Sequence, residues 1–465
     1  MATVDEGDQP HAVSLRRELT WRDLVVYGLL FIGVTAPMGT FGVLDARSGG
    51  AVALVFVVAT VAMSFTAWSY ARMSTALPQA GSVYAYATAG LGRRPGFMAG
   101  WMIALDYLFI PALAALFAGL ACHALVPGVP VWVFTGAAVL LTTGLNIAGV
   151  RLAARVGLAM LVIELLVLGA FVVLAAVHLV VVGPERGWLT PLTGVSAFDA
   201  GGVVGAVSVA VLAFLGFDAI ATFAEETTGS SRHVARALQV CLVLAGVLFV
   251  LQTYLGALLS STTPAQLAAE PAAQGTAFYD MLDDALGVWF GSLVTVVRAV
   301  GPVFSALVAQ AAVARLLFAM GRAGALPGAL ARGGARGSTP RNAILLSAVV
   351  TLAVALAAAS RADGLDILSS MVTVGALAAF LLLHASVVGH ARRTGSTTPA
   401  AVVVPVLGAL IILAVLVGAS RLALAIAAGW FVVGVIVMLV RPGTARALAA
   451  GPPETPGEHG EPPRS

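Results

Sequence analysis

Apolar stretches of about 20 residues, each closed by a short polar or Gly- and Pro-bearing turn, recur along nearly the whole chain. A helix needs about that length to cross roughly 30 Å of hydrocarbon. The pattern predicts about twelve membrane-spanning helices, at residues 24–45, 51–71, 96–121, 130–149, 155–182, 200–224, 234–259, 286–319, 341–359, 366–389, 401–419 and 421–440. Two polar segments flank them. Residues 1–23 begin with the polar, mixed-charge run "MATVDEGDQPHAVSLRRELT", from which no cleavable signal is expected. Residues 441–465 end in the Pro/Gly/Glu-rich "GPPETPGEHGEPPRS", the composition of a disordered tail.

Composition points the same way. With 60% hydrophobic residues, 10% charged residues and a mean hydropathy of +0.99, the chain holds more apolar surface than one soluble core can bury. The fold class is therefore an all-α polytopic membrane protein. Every basic residue among the 25 counted as Lys or Arg is arginine, and the arginines alternate along the chain. Arg16, Arg17 and Arg22 lie in the N-terminal tail, Arg72, Arg93, Arg94, Arg151, Arg232, Arg322, Arg332, Arg336, Arg392 and Arg393 in even-numbered loops, and Arg441, Arg446 and Arg464 in the C-terminal tail. Odd-numbered loops hold at most one each. The positive-inside rule then places both termini in the cytoplasm and fits an even number of spans in the cell membrane. The pI near 9.1 is thus a topology signal, and no nucleic-acid partner is expected. Cys122 and Cys241 suggest neither a disulfide framework nor a metal site, and no cofactor is implied.

Two of the spans are poorly built as continuous helices. The first contains "TAPMGTFG", where Pro37 removes a backbone hydrogen bond and the glycines weaken the helix. A break there would free carbonyls and amides around Ala36 to Gly39, with Thr35 and Thr40 adding hydroxyls. The sixth contains "FLGFDAIATFAEET", with Gly216 and Asp218 inside the hydrophobic segment. Non-helical backbone at membrane depth is tolerated only where protein packs around it or where it lines a polar cavity. Broken segments at corresponding places in two halves point to a transporter with a midplane site. Close packing by glycine and a tolerated kink is the alternative for either break alone.

Four ionisable residues fall near mid-membrane: Asp106, Glu164, Asp218 and Arg298. A charge there costs roughly 2.5–3.5 kcal/mol on insertion scales, so each requires a partner or a role. Asp106, in "WMIALDYLFIP" beside Tyr107 and Phe109, suits an organic cation through charge pairing and cation–π contact; the alternative is an ion pair with Arg298 that only fastens helices. Glu164 lies among aliphatic residues, where a bare charge is costly, and is the candidate proton carrier; a protonated structural Glu is the alternative. Asp218 suits a cap on the half-helix at the second break better than substrate contact. Glu225 and Glu226, at the cytoplasmic end of that helix, read as gate or solvated charges. Arg298 is placed either to neutralise an acid or to receive a substrate carboxylate.

These residues sit in recognisable stretches. "YARMSTALPQAGSVYAYATAGLGRRPGFMAGWMIALDYLFIP" (70–111), "FLGFDAIATFAEET" (214–227) and "ARLLFAMGRAGALP" (314–327) resemble the second and third, sixth and eighth helices of the amino acid, polyamine and organocation transporter superfamily. Within it, "APMGTFG", "LDYLFIP" and "GFDAIATFAEET" look most like the putrescine importer group. The resemblance implies a leucine-transporter-type fold. Residues 24–182 would form one five-helix repeat, 200–390 a second, inverted one, and 401–440 two accessory helices. Substrate would bind between the first, third, sixth, eighth and tenth helices, against Ala36, Pro37, Met38, Gly39, Thr40, Asp106, Tyr107, Phe214, Gly216, Phe217 and Asp218. Phe41 interrupts the usual Gly-Ser/Thr-Gly pattern, and Ala314 and Ala323 replace the usual Ser and Asp. Glu164 stands where some relatives carry a lysine that substitutes for a sodium ion.

The expected function is a secondary transporter that imports a small amine, putrescine or a polyamine first, or an amino acid, by proton coupling or exchange. A neutral or cationic amino acid permease is the runner-up, with Arg298 or the first-helix amides holding the carboxylate. A ligand sensor that does not transport is a third reading, though the tails contain no recognisable output domain. No zinc-binding H-E-x-x-H, P-loop or nucleophile elbow is present, so no enzyme is expected.

Overall fold

A computed structural model describes residues 17–79, 81–126, 128–195, 199–331, 340–361, 364–417 and 421–440. The tail segments 1–16 and 441–465, and with them most of the two tails expected from sequence, lie outside the described residues. Seventeen α-helices run through the described residues: α1 Trp21–Ile32, α2 Ala36–Arg47, α3 Val52–Ala76, α4 Ser82–Leu91, α5 Arg93–Leu125, α6 Val131–Ala148, α7 Val150–Val181, α8 Thr190–Thr193, α9 Ala200–Ala210, α10 Arg232–Leu259, α11 Pro264–Ala269, α12 Ala277–Leu286, α13 Val288–Arg322, α14 Arg341–Ala359, α15 Gly364–Arg393, α16 Pro399–Val417 and α17 Arg421–Val440. Ten helices are long and apolar enough to span a membrane, and α1 with α2 forms one further span bent by 47°. The last, α17, is the shorter apolar helix at the twelfth predicted position.

The outer helices turn bare aliphatic side chains outward: Leu140 on α6, Val349 on α14 and Leu410 on α16 are all more than half exposed. Such surfaces need hydrocarbon as their solvent. The centre holds α5 and α13, and small residues let their neighbours approach closely. A methyl group on Gly375 of α15 would meet the backbone of Met102 and Asp106 of α5 at 3.0 Å, and one on Gly90 of α4 would meet the Ser386 carbonyl at 2.2 Å. Membrane helices associate through this kind of small-residue packing. Helices α4 and α12 are not spans. The first follows a tight turn at Gly81 and Ser82, both at positive φ.

Both predicted breaks are present. α1 ends at Gly33 (φ +72°), and α2 restarts with Pro37 in its first turn, where the missing N–H costs no hydrogen bond. α9 runs through a 3₁₀ turn (Val211–Phe214) to Leu215, which is extended, and Gly216 at φ +112°. The chain then continues as a 3₁₀ helix, Phe217–Glu226. Ten residues of 3₁₀ is long for that geometry and marks a strained, hinge-like element. The two breaks interlock: a methyl group on Gly216 would lie 1.9 Å from Cδ1 of Phe31 in α1. Glycine is required there both by its backbone angle and by that contact.

Candidate functional site

A cavity of about 200 Å³ opens beside the first break, smaller than the roughly 300–1,000 Å³ common for ligand pockets and suited to a small solute. Its apolar wall includes Phe31, Ile110, Leu113, Val209, Leu215 and Val372. Its charged groups are Arg298 of α13 and Glu164 of α7. Ala36, Gly39 and Thr40 bring the first turns of α2 to the wall.

Arg298 is held over the start of α2. Its Nε donates to the Tyr279 hydroxyl at 3.3 Å and one terminal nitrogen to the Thr35 hydroxyl at 3.4 Å. The other terminal nitrogen lies 3.0 Å from where a side chain on Gly39 would begin. Glycine at 39 therefore leaves room for the guanidinium to face the cavity. Glu164 reaches across from α7 to Gly301, one turn further along α13, where its Oε1 occupies the space a methyl group would need. Its Oε2 is buried without a hydrogen-bond partner. Glu164 is within electrostatic reach of Arg298 but makes no direct ion pair with it.

The first break frees less backbone than its sequence suggests. The Leu30 carbonyl accepts from Ser305 at 2.7 Å and the Val34 carbonyl from Gln252 at 3.0 Å. The Ala36 and Met38 amides are bonded to the carbonyls of Gly33 and Thr35. Ser305, Gln252 and Tyr279 were not singled out from sequence; a polar residue inside an apolar span was the available signal for the first two. Pro37 and Met38 are buried and do not face the cavity.

The other two acids near mid-membrane, Asp106 and Asp218, form a second polar cluster behind the cavity wall. Asp218 accepts hydrogen bonds from Tyr70 at 3.3 Å and from Tyr107 on one carboxylate oxygen, and from the Gly216 amide at 3.2 Å on the other. The bond to Gly216 ties the carboxylate to the residue that opens the 3₁₀ segment. Asp106 is fully buried, lies close enough to Asp218 for the two charges to act on each other, and has no partner on either oxygen. The expected alternative in which Asp106 pairs with Arg298 is not what the structure holds, because Arg298 is engaged with Tyr279 and Thr35. Tyr107 meets Phe31 edge-on, with ring centroids 6.0 Å apart, so it backs the cavity wall through that ring. Phe214 packs on Phe56 and Phe249, and Phe217 on Tyr70 and Phe380, away from the cavity.

On the arginine-rich side of the cavity, ion pairs and ring contacts tie the helices together. Glu226 is paired with both sides of the Arg315 fork, and the Arg315 guanidinium lies 4.1 Å from the centre of the Phe223 ring. Phe223 in turn stacks on Tyr27 of α1 at 4.9 Å. Glu225 pairs with Arg322, and the backbone of Leu19 bridges Thr227. The carboxylates of Glu225 and Glu226 therefore tie the second broken span to α13, and the Phe223–Tyr27 stack ties it to α1. At the opposite end, Asp45 of α2 takes a two-pronged ion pair from Arg186 at 3.0 and 2.9 Å, and Arg186 also donates to Ser260.

Comparison with known proteins bears on the chain as a whole. The amino acid permease family model matches residues 24–444. The chain is similar to the low-affinity putrescine importer PlaP of Escherichia coli (strain K12), 30% identical over 389 residues that cover 81% of this chain and 82% of that one. It is also similar to the branched-chain amino acid permease BcaP of Bacillus subtilis, 28% identical with 81% of each chain covered. The vacuolar cationic amino acid transporter 2 of Arabidopsis thaliana is 29% identical, with 83% of this chain and 61% of that one covered.

Proposed function

This chain belongs to the amino acid permease family and is a multi-pass membrane transporter, and from that premise we propose that it imports a small amino acid with an apolar side chain. The observation that carries this reading is the Arg298 guanidinium, set against Gly39 in an otherwise largely apolar cavity. The substrate carboxylate pairs with Arg298 and faces the N-terminal, positive end of α2; the ammonium faces the C-terminal, negative end of α1. Aliphatic side chains of α5, α9 and α15 receive the rest. A dication such as a diamine would meet Arg298 at close range with one acid, Glu164, on the wall.

Glu164 is the proposed carrier of a coupled proton. It borders the cavity, is nearly buried, and has one oxygen without a partner. Transport proceeds by alternating access in a five-plus-five inverted repeat in the cytoplasmic membrane, with both termini inside the cell. Opening to the cytoplasm requires the Glu226–Arg315 and Glu225–Arg322 pairs to part.

A second reading, import of putrescine or another amine, is favoured by Asp106, a buried carboxylate without a partner beside Asp218. Binding to the purified protein separates the two. Leucine, alanine and putrescine are titrated against wild type, Arg298→Gln and Asp106→Asn. The amino acid reading expects amino acids to bind wild type and Arg298→Gln to lose at least tenfold in affinity, with Asp106→Asn close to wild type. Putrescine binding that vanishes in Asp106→Asn would establish the amine reading instead.

A further inference from the structure

The arginine-rich face carries a second cavity, of about 460 Å³, where the ends of α3, α10 and α15 meet. Arg72, Thr75, Gln239, His390 and Ser396 are polar residues on its wall. Arg72 lies 5.7 Å from the centre of the Trp68 ring, and no carboxylate pairs with it among the described residues. His390 lies within electrostatic reach of both Arg72 and Arg393. The cavity is thus rich in hydrogen-bond donors and cationic, with no acid on its wall.

A third cavity, of about 510 Å³, follows the same seam between α3 and α10 toward the membrane centre. It is walled almost wholly by apolar groups, among them Val57, Val61, Val243 and Val247, all more than a third exposed. From Arg72 to Val61 is eleven residues of helix, about 16 Å at 1.5 Å per residue. Half of a hydrocarbon core of roughly 30 Å is about the same depth. A cationic mouth at the interface and an apolar groove that begins about half a bilayer deeper, within reach of the end of an acyl chain, therefore lie along one pair of helices.

We propose that this seam binds an anionic phospholipid of the leaflet on the arginine-rich side, its phosphate at Arg72 and His390 and an acyl chain along the Val61–Val247 groove. Trp68 marks the interfacial level, where indole rings settle. Basic pockets between membrane helices on the cytoplasmic side recognise acidic headgroups by charge-assisted hydrogen bonds. The lipid fills the gap between α15 and the packed α3–α10 pair at this end. The inference does not depend on which substrate is carried.

Native mass spectrometry of the full chain, titrated with phosphatidylglycerol or phosphatidylcholine, tests it. Phosphatidylglycerol should bind with a stoichiometry of one at least tenfold more tightly than phosphatidylcholine, and Arg72→Gln should abolish that preference. Val247→Trp, an exposed position on the groove, should weaken retention of phosphatidylglycerol without affecting the fold. Equal binding of the two lipids, or an unchanged preference in Arg72→Gln, would overturn the proposal. So would displacement of the lipid by millimolar inorganic phosphate together with a silent Val247→Trp, which would mean a site for free phosphate.

Discussion

The Glu226–Arg315 pair makes a quantitative prediction about gating. Both side chains are almost wholly buried, with 2% and 5% of their surface exposed. Glu226→Gln keeps the shape but leaves the Arg315 guanidinium in the interior without a counter-ion. Breaking a buried pair in this way costs about 3–5 kcal/mol. That cost falls on the closed arrangement alone if Arg315 reaches water when the face opens, so the open population should rise about 140- to 4,000-fold. Cys241 is a built-in reporter. It is fully buried, at the point where Gly28 of α1 and Ile220 of the broken span meet. In a Cys122→Ser background, alkylation of Cys241 by a maleimide follows the open population, provided opening and closing are fast relative to labelling. Glu226→Gln should therefore speed labelling by two orders of magnitude or more. Glu225→Gln is the internal control: its pair with Arg322 is 17% and 34% exposed, and pairs of that kind contribute about 0–1 kcal/mol, so its effect should stay within about fivefold. Glu226→Gln with Arg315→Met leaves no orphan charge and should label close to wild type. Labelling of Glu226→Gln at the wild-type rate would show that the pair does not hold this face shut.

Two further outcomes are expected. Glu164→Gln should keep counterflow exchange of substrate while losing accumulation driven by a pH gradient, measured in proteoliposomes; intact accumulation would remove Glu164 from the coupling role. Gly216→Ala combines a left-handed backbone angle with a collision against Phe31, which should cost about 2–4 kcal/mol and appear as a lowered melting temperature in detergent.

The spans were legible because hydrocarbon leaves so few choices: a run of apolar residues of the right length must be helical, and the twelve predicted positions match helices within a few residues. Both breaks were legible too, since Pro37 and Gly216 have no good place in a continuous helix. What lines the cavity was only partly legible. Arg298, Glu164, Ala36, Gly39 and Thr40 do meet there, whereas Asp106, Asp218 and Phe217 come together behind the wall. That division depends on helix rotation and on the contact between Phe31 and Gly216, and neither leaves a local mark in sequence. The helix α4 was missed for a similar reason: Ser82–Leu91 is too short to span, and its place is set by a backbone contact with α15 that only the packed structure reveals.

Uptake into proteoliposomes under an inward proton gradient addresses the central claim most directly, with labelled leucine and labelled putrescine as alternative substrates and wild type beside Arg298→Gln. The account predicts gradient-driven leucine uptake that is competed by neutral amino acids, untouched by diamines and lost in Arg298→Gln. Putrescine uptake that survives Arg298→Gln, with no leucine uptake, would contradict it.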